Sequence, residues 1–212
     1  MQPKVFHSKL ANIYHNYNET IKPLIADIEA RYQEFPDSLF NEIRALNDHV
    51  ARCYRENISD EEIDSEIKKT EGHILRITFD CYKYLDVWFH DYVKKFDKEY
   101  TSKIDITLVS DGEFAIEYRS FQSKAIKAIK EAKKNEGIDK QKSFDLYQEA
   151  YGIYSDLEML IDEHLPKLNH AKCRKKVKLT TTGILWVFSI LLSSIITIIL
   201  TDRITSLLKN IF

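Results

Sequence analysis

The chain has 212 residues, 30% of them charged, and a formal net charge of −2 at neutral pH. Five glycines and four prolines are too few for a turn-rich β protein or a glycine-lined phosphate loop. Three cysteines, Cys53, Cys81 and Cys173, have neither disulfide-framework nor metal-ligand spacing, so an all-α fold with reduced thiols is expected.

Leu10, Ile13, Tyr14 and Tyr17 recur at threes and fours and predict a short helix over 5–17. A second helix is expected from Asn18 or Glu19, with Pro23 in its first turn and Leu24, Ile25, Ile28 and Tyr32 on its apolar face. Pro36 breaks it, and Asp37 is the expected cap of a third helix bearing Phe40, Ile43, Leu46, Val50 and Cys53. Ser59 and Glu62 form a capping-box signature. It opens a pattern that runs to about Tyr100 with Gly72 as its weak point, and its apolar positions from Ile63 to Phe96 cover more than one side. Such a helix is buried by several partners.

Ser102 to Ser110 alternates weakly and reads as a loop. Asp111 is the expected cap of the next helix, with Phe114, Tyr118, Phe121, Ala125 and Ile129 inward. The last helix of the bundle is expected to start near Asp139 and to carry Phe144, Tyr147, Tyr151, Tyr154, Leu157, Ile161 and Leu165, with a kink or split at Pro166.

From Leu179 to Thr201 no residue is charged, and between Ile184 and Leu200 twelve of 17 residues are Ile, Leu, Val or Phe. At ~1.5 Å per residue this run spans a ~30 Å hydrocarbon core, so a C-terminal transmembrane helix is expected. Lys172, Arg174, Lys175, Lys176 and Lys178 form a basic collar directly before it. The positive-inside bias puts the large N-terminal part in the cytoplasm and the anchor in the inner or plasma membrane as a single pass. The first residues have no apolar core and are no signal peptide. The expected organisation is a cytosolic antiparallel bundle of five or six helices over 1–170, the collar over 171–178, the span over 179–201 and an amphipathic tail over 202–212, with Ile204, Leu207, Leu208, Ile211 and Phe212 on one face.

Two surfaces carry chemistry. Thr182, Ser189, Ser193, Ser194, Thr197 and Thr201 fall within one arc of the span. Three readings stand: a helix-packing face, a pore lining in a homo-oligomer, or hydroxyls bonded to their own helix. In the head, Arg119, Lys124, Lys127, Lys130 and Lys134 share one helix face and suit an anionic ligand such as a nucleotide or oligonucleotide, or a phosphoinositide headgroup, against the alternative of a solvated lysine face. No His or Cys cluster, nucleophile elbow or phosphate loop is present, so neither enzyme activity nor a cofactor is expected.

With these two stripes and the collar, the layout resembles the small single-span membrane effectors of bacterial anti-phage defence systems. The resemblance implies a ligand-sensing cytosolic domain that controls an oligomeric, membrane-disrupting or channel-forming part, and a partner protein encoded alongside. The alternative is a passive tether or adaptor, SNARE-like or scaffold, that recruits a protein partner to the membrane. Gly137 and Pro166 interrupt the heptad run that a fusion helix needs.

Overall fold

The longest helix of the bundle starts where its capping box places it. The Glu62 amide donates to Ser59 Oγ at 3.2 Å, and the Ser59 amide donates to Glu62 Oε2 at 2.8 Å. In the computed structural model, which describes residues 3–209, this helix is the fourth of six: α1 (Pro3–Asn16), α2 (Lys22–Tyr32), α3 (Asp37–Arg52), α4 (Asp60–Phe96), α5 (Glu113–Asn135) and α6 (Lys140–Lys209). No strand occurs among the described residues.

Local chemistry moves several expected boundaries. The chain does not break near Asn18; a π-helical turn, Tyr17–Ile21, joins α1 to α2. Pro23 lacks the amide that would bond Glu19, and the wider turn just before it takes up the mismatch. Asp37 is not a cap: Pro36 holds that position in an extended conformation, and Asp37 supplies negative charge to the first turn instead. Asp111 does not cap α5 either, because Ser110, Asp111 and Gly112 all take positive φ. These residues end a 3-10 turn, Ile106–Gly112, where a loop is expected. Asp139 does cap α6, accepting from the Lys142 amide at 3.0 Å. Pro166 lies inside α6 without splitting it. The expected tail, with Ile204, Leu207, Leu208, Ile211 and Phe212, falls outside the residues whose side chains are described.

The chain divides into two compact units, Met1–Asp97 with Ile116–Asp162, and Lys98–Ala115 with Glu163–Phe212. In the first, α4 is the centre and α1, α2 and α3 pack on it. Glu42 meets His73 and Glu66 meets His49, so α3 and α4 run antiparallel. On another side of α4, Phe89 stacks on Tyr154 of α6 at 5.1 Å and Tyr82 meets Tyr151 at 5.9 Å. Burying each such ring contributes about 1.5–3 kcal/mol. Ala125, Ala128 and Ala132 give α5 a small buried face that lets α6 come close, and Ser143 Oγ donates to the Ala132 carbonyl at 2.9 Å.

In the second unit, the segment after α4 lies along α6. Tyr100 OH donates to Asn169 Oδ1 at 2.8 Å, Lys167 Nζ donates to Ser110 Oγ at 2.8 Å, and Lys175 donates to the Lys103 carbonyl. Phe114 packs on the His164 ring at 5.1 Å.

Candidate functional site

The apolar run forms the C-terminal part of α6. Its most apolar stretch has a mean hydropathy of 2.0 and none of it is buried, so the helix is long and apolar enough to cross a membrane. The hydroxyl stripe is largely satisfied from within. Ser194 donates to the Ile190 carbonyl, Thr197 to Ser193 and Thr201 to Thr197, each at 2.8–2.9 Å, and Ser189 donates to Trp186 at 2.9 Å. These bonds remove the cost of unpaired hydroxyl donors in hydrocarbon. Ser193 makes no such side-chain bond among the described residues.

The collar has two roles. Lys172 ion-pairs with Glu99 at 2.8 Å and lies 4.9 Å from the Tyr100 ring centroid, and Lys175 bonds the chain at Lys103. Hydrogen bonds from Lys172 and Lys103 hold the Glu99 carboxyl down at about 2. Arg174, Lys176 and Lys178 are exposed and enter no ion pair among the described residues.

Arg119, Lys124, Lys127, Lys130 and Lys134 all lie exposed on α5. Lys134 is paired with Glu131 at 2.7 Å, and Lys124 sits 6.0 Å from the Phe121 ring. Arg119, Lys127 and Lys130 have no ion pair among the described residues. Exposed Ile116 and Ile126 interrupt the positive face.

Three polar clusters of the first unit are not apparent in the sequence. Between α3 and α4, His49 and His73 stack with ring centroids 5.1 Å apart. Glu66 takes a hydrogen bond from Lys69 and meets His49 Nδ1, both at 2.6 Å, and these contacts lower its carboxyl to about 2. Glu42 holds His73 and Arg76 at 2.7 and 2.9 Å; their hydrogen bonds outweigh its partial burial and lower its pKa. Second, Arg31 grips Glu158 with two bonds at 2.9 and 2.8 Å and Asp27 with one at 2.8 Å, while its guanidinium lies 4.3 Å from Trp88. Third, Asp86 is buried on α4, and its Oδ2 has no hydrogen-bond partner among the described residues.

Comparison with protein-family models, curated proteins and solved structures finds no match.

The Arg31 cluster is closed on itself, since each guanidinium nitrogen donates to a carboxylate and the Trp88 and Phe89 rings lie against the guanidinium. The His49–His73 cluster borders an open surface depression of about 440 Å³ with Lys68, Lys69 and Arg76 on its rim, and its acids are already paired, Glu66 with Lys69 and Glu42 with Arg76. Among the described residues no group of three or more His, Cys, Asp or Glu is placed to hold a metal ion.

Proposed function

We propose that this chain is a membrane-anchored effector whose cytosolic helical domain senses a ligand or partner and controls an oligomeric assembly of its C-terminal helix in the inner or plasma membrane. The observation that supports it is the continuity of α6. One helix holds Tyr147, Tyr154 and Leu157 in a buried core, passes Pro166 unbroken, and goes on into the apolar run with Trp186 and Ile195 exposed. The core of the head and the apolar run thus share one helix, which direct coupling between them needs and a tether does not. The collar orients the span with the head on the cytoplasmic side. The face bearing Arg119, Lys127 and Lys130 is where an anionic signal, a nucleotide or oligonucleotide, would act.

One observation favours the second reading, a passive tether or adaptor. The hydroxyls of Ser189, Ser194, Thr197 and Thr201 bond their own helix, so the stripe needs no pore water or neighbouring helix. Liposome leakage separates the two. Full-length protein reconstituted in dye-loaded vesicles is expected to release dye as an oligomer, and Ser193→Leu with Thr197→Leu to abolish release while leaving insertion intact. A monomer that never leaks, with or without oligonucleotide, is a tether.

A further inference from the structure

We propose that the loop before α5 and the collar of α6 form a binding site for one anionic phospholipid. This rests on the reading of α6 as a membrane span. A groove of about 1220 Å³ runs between the loop and the helix, larger than the ~300–1,000 Å³ of common small-molecule pockets. Its lining on α6 extends from Pro166 to Thr181, about 22 Å of helix. It therefore begins just before the collar, runs along it and ends at the start of the uncharged run, at the depth of a leaflet's headgroups and first methylenes.

The lining matches such a lipid at both ends. Ile104 and Val109 make a buried apolar floor, while Leu108 is 78% exposed and Val177 62% exposed. A leucine this exposed on a loop beside a membrane surface is unpartnered in water and covered by an acyl chain. Arg174 and Lys178, one turn apart on the groove side, are the cations left over after Lys167 and Lys175 have bonded the loop. The one acid of the lining, Asp105, accepts from the Thr107 amide at 3.1 Å and its hydroxyl at 2.6 Å. The loop keeps its shape because Ser110, Asp111 and Gly112 take φ of 49°, 54° and 94°. A Cβ on Gly112 would be strained at that φ whatever the space around it. A guanidinium and an ammonium beside an apolar trough select a phosphodiester with net negative charge over a zwitterion.

The test titrates phosphatidylglycerol, and separately phosphatidylcholine, into the full-length protein in mild detergent and counts bound lipids by native mass spectrometry. One phosphatidylglycerol is expected to bind ahead of any phosphatidylcholine. Arg174→Gln with Lys178→Gln should weaken it about 25-fold at low ionic strength, roughly fivefold per charge. Leu108→Ser, which alters no charge, should also weaken it, and Lys94→Gln with Lys95→Gln, exposed lysines at the end of α4, should leave it unchanged. Equal binding of the two lipids, or phosphatidylglycerol binding untouched by the first two changes, overturns the site. A protein that stays in carbonate-washed membranes yet shows no lipid preference refutes the groove alone; one that leaves those membranes refutes the span on which it rests.

Discussion

Arg31→Met is expected to cost the bundle about 2–4 kcal/mol. The methionine retains the apolar stem against Trp88 and Phe89, so the loss is not one of packing volume. What disappears is the cation that bridges Asp27 and Glu158, two carboxylates with side chains about a quarter exposed. Burial opposes the charge on Arg31, but Glu158 and then Asp27 more than offset it and raise its pKa. Breaking a fully buried pair costs ~3–5 kcal/mol because the remaining charge is stranded; partial exposure reduces that here. Denaturant unfolding of the full chain, followed by Trp88 fluorescence in a Trp186→Phe background, reads the change. Adding Glu158→Gln should recover part of it, since one stranded charge is gone. A loss below about 1 kcal/mol would mean the cluster behaves as an ordinary surface pair.

Asp86→Asn is expected to have the opposite sign. Burial pushes the Asp86 carboxyl from 3.8 up to about 7, with Lys133 of α5 pulling weakly the other way. Tyr147 and Tyr154 of α6 both feel its charge: burial raises both tyrosines first, the Glu136 carboxylate bonded to Tyr147 raises that one further, and the Asp86 charge adds last. The sign follows from linkage. Below about pH 4 the carboxyl is protonated in both folded and unfolded chains, and there is no penalty. Between about 4 and 7 the unfolded chain loses its proton while the folded one keeps it, so stability falls as pH rises. Above 7 the folded chain carries a buried carboxylate at the full cost, at most about 4 kcal/mol. Asparagine keeps the size and removes the ionisation. The variant should match the native chain near pH 4 and exceed it by about 2–4 kcal/mol at pH 8. Unfolding curves at the two pH values check this; an equal difference at both would show that the carboxyl does not titrate between them.

The contrast between these clusters and the helix ends shows what one sequence reveals. Ser59 and Glu62 could be read directly, because a capping box is completed within four residues. The long apolar helix was equally plain, since its signal is length without charge. Pro23 stands in the first turn of α2 as its residue type suggests, while the expected start near Asn18 is replaced by a π-helical turn and Pro166 does not split α6, because a proline constrains only its own turn. Asp37 and Asp111 misled for a related reason: their residue type suits a cap, but the backbone places one inside the helix and the other at positive φ. Arg31 could not be found at all, since its partner Glu158 is 127 residues away. Asp86, between Leu85 and Val87, reads as one more polar position on a helix whose two other faces are apolar. The collar was legible as charge; the loop that Lys167, Lys172 and Lys175 tie down was not, because nothing local couples Glu99, Lys103 or Ser110 to them.

Cys173 offers the most direct test of the central claim, that α6 carries the chain into lipid with its head on the cytoplasmic side. Cys53 and Cys81 are buried, and burial pushes the Cys81 thiol up to about 12; Cys173 is exposed, just ahead of the uncharged run. A membrane-impermeant maleimide is applied to inside-out vesicles and to intact cells, and the membranes are washed with carbonate only after the label is quenched. The protein should remain in the pellet, and Cys173 should be labelled in the vesicles and protected in the cells. Release into the carbonate supernatant, or labelling of intact cells, would contradict it.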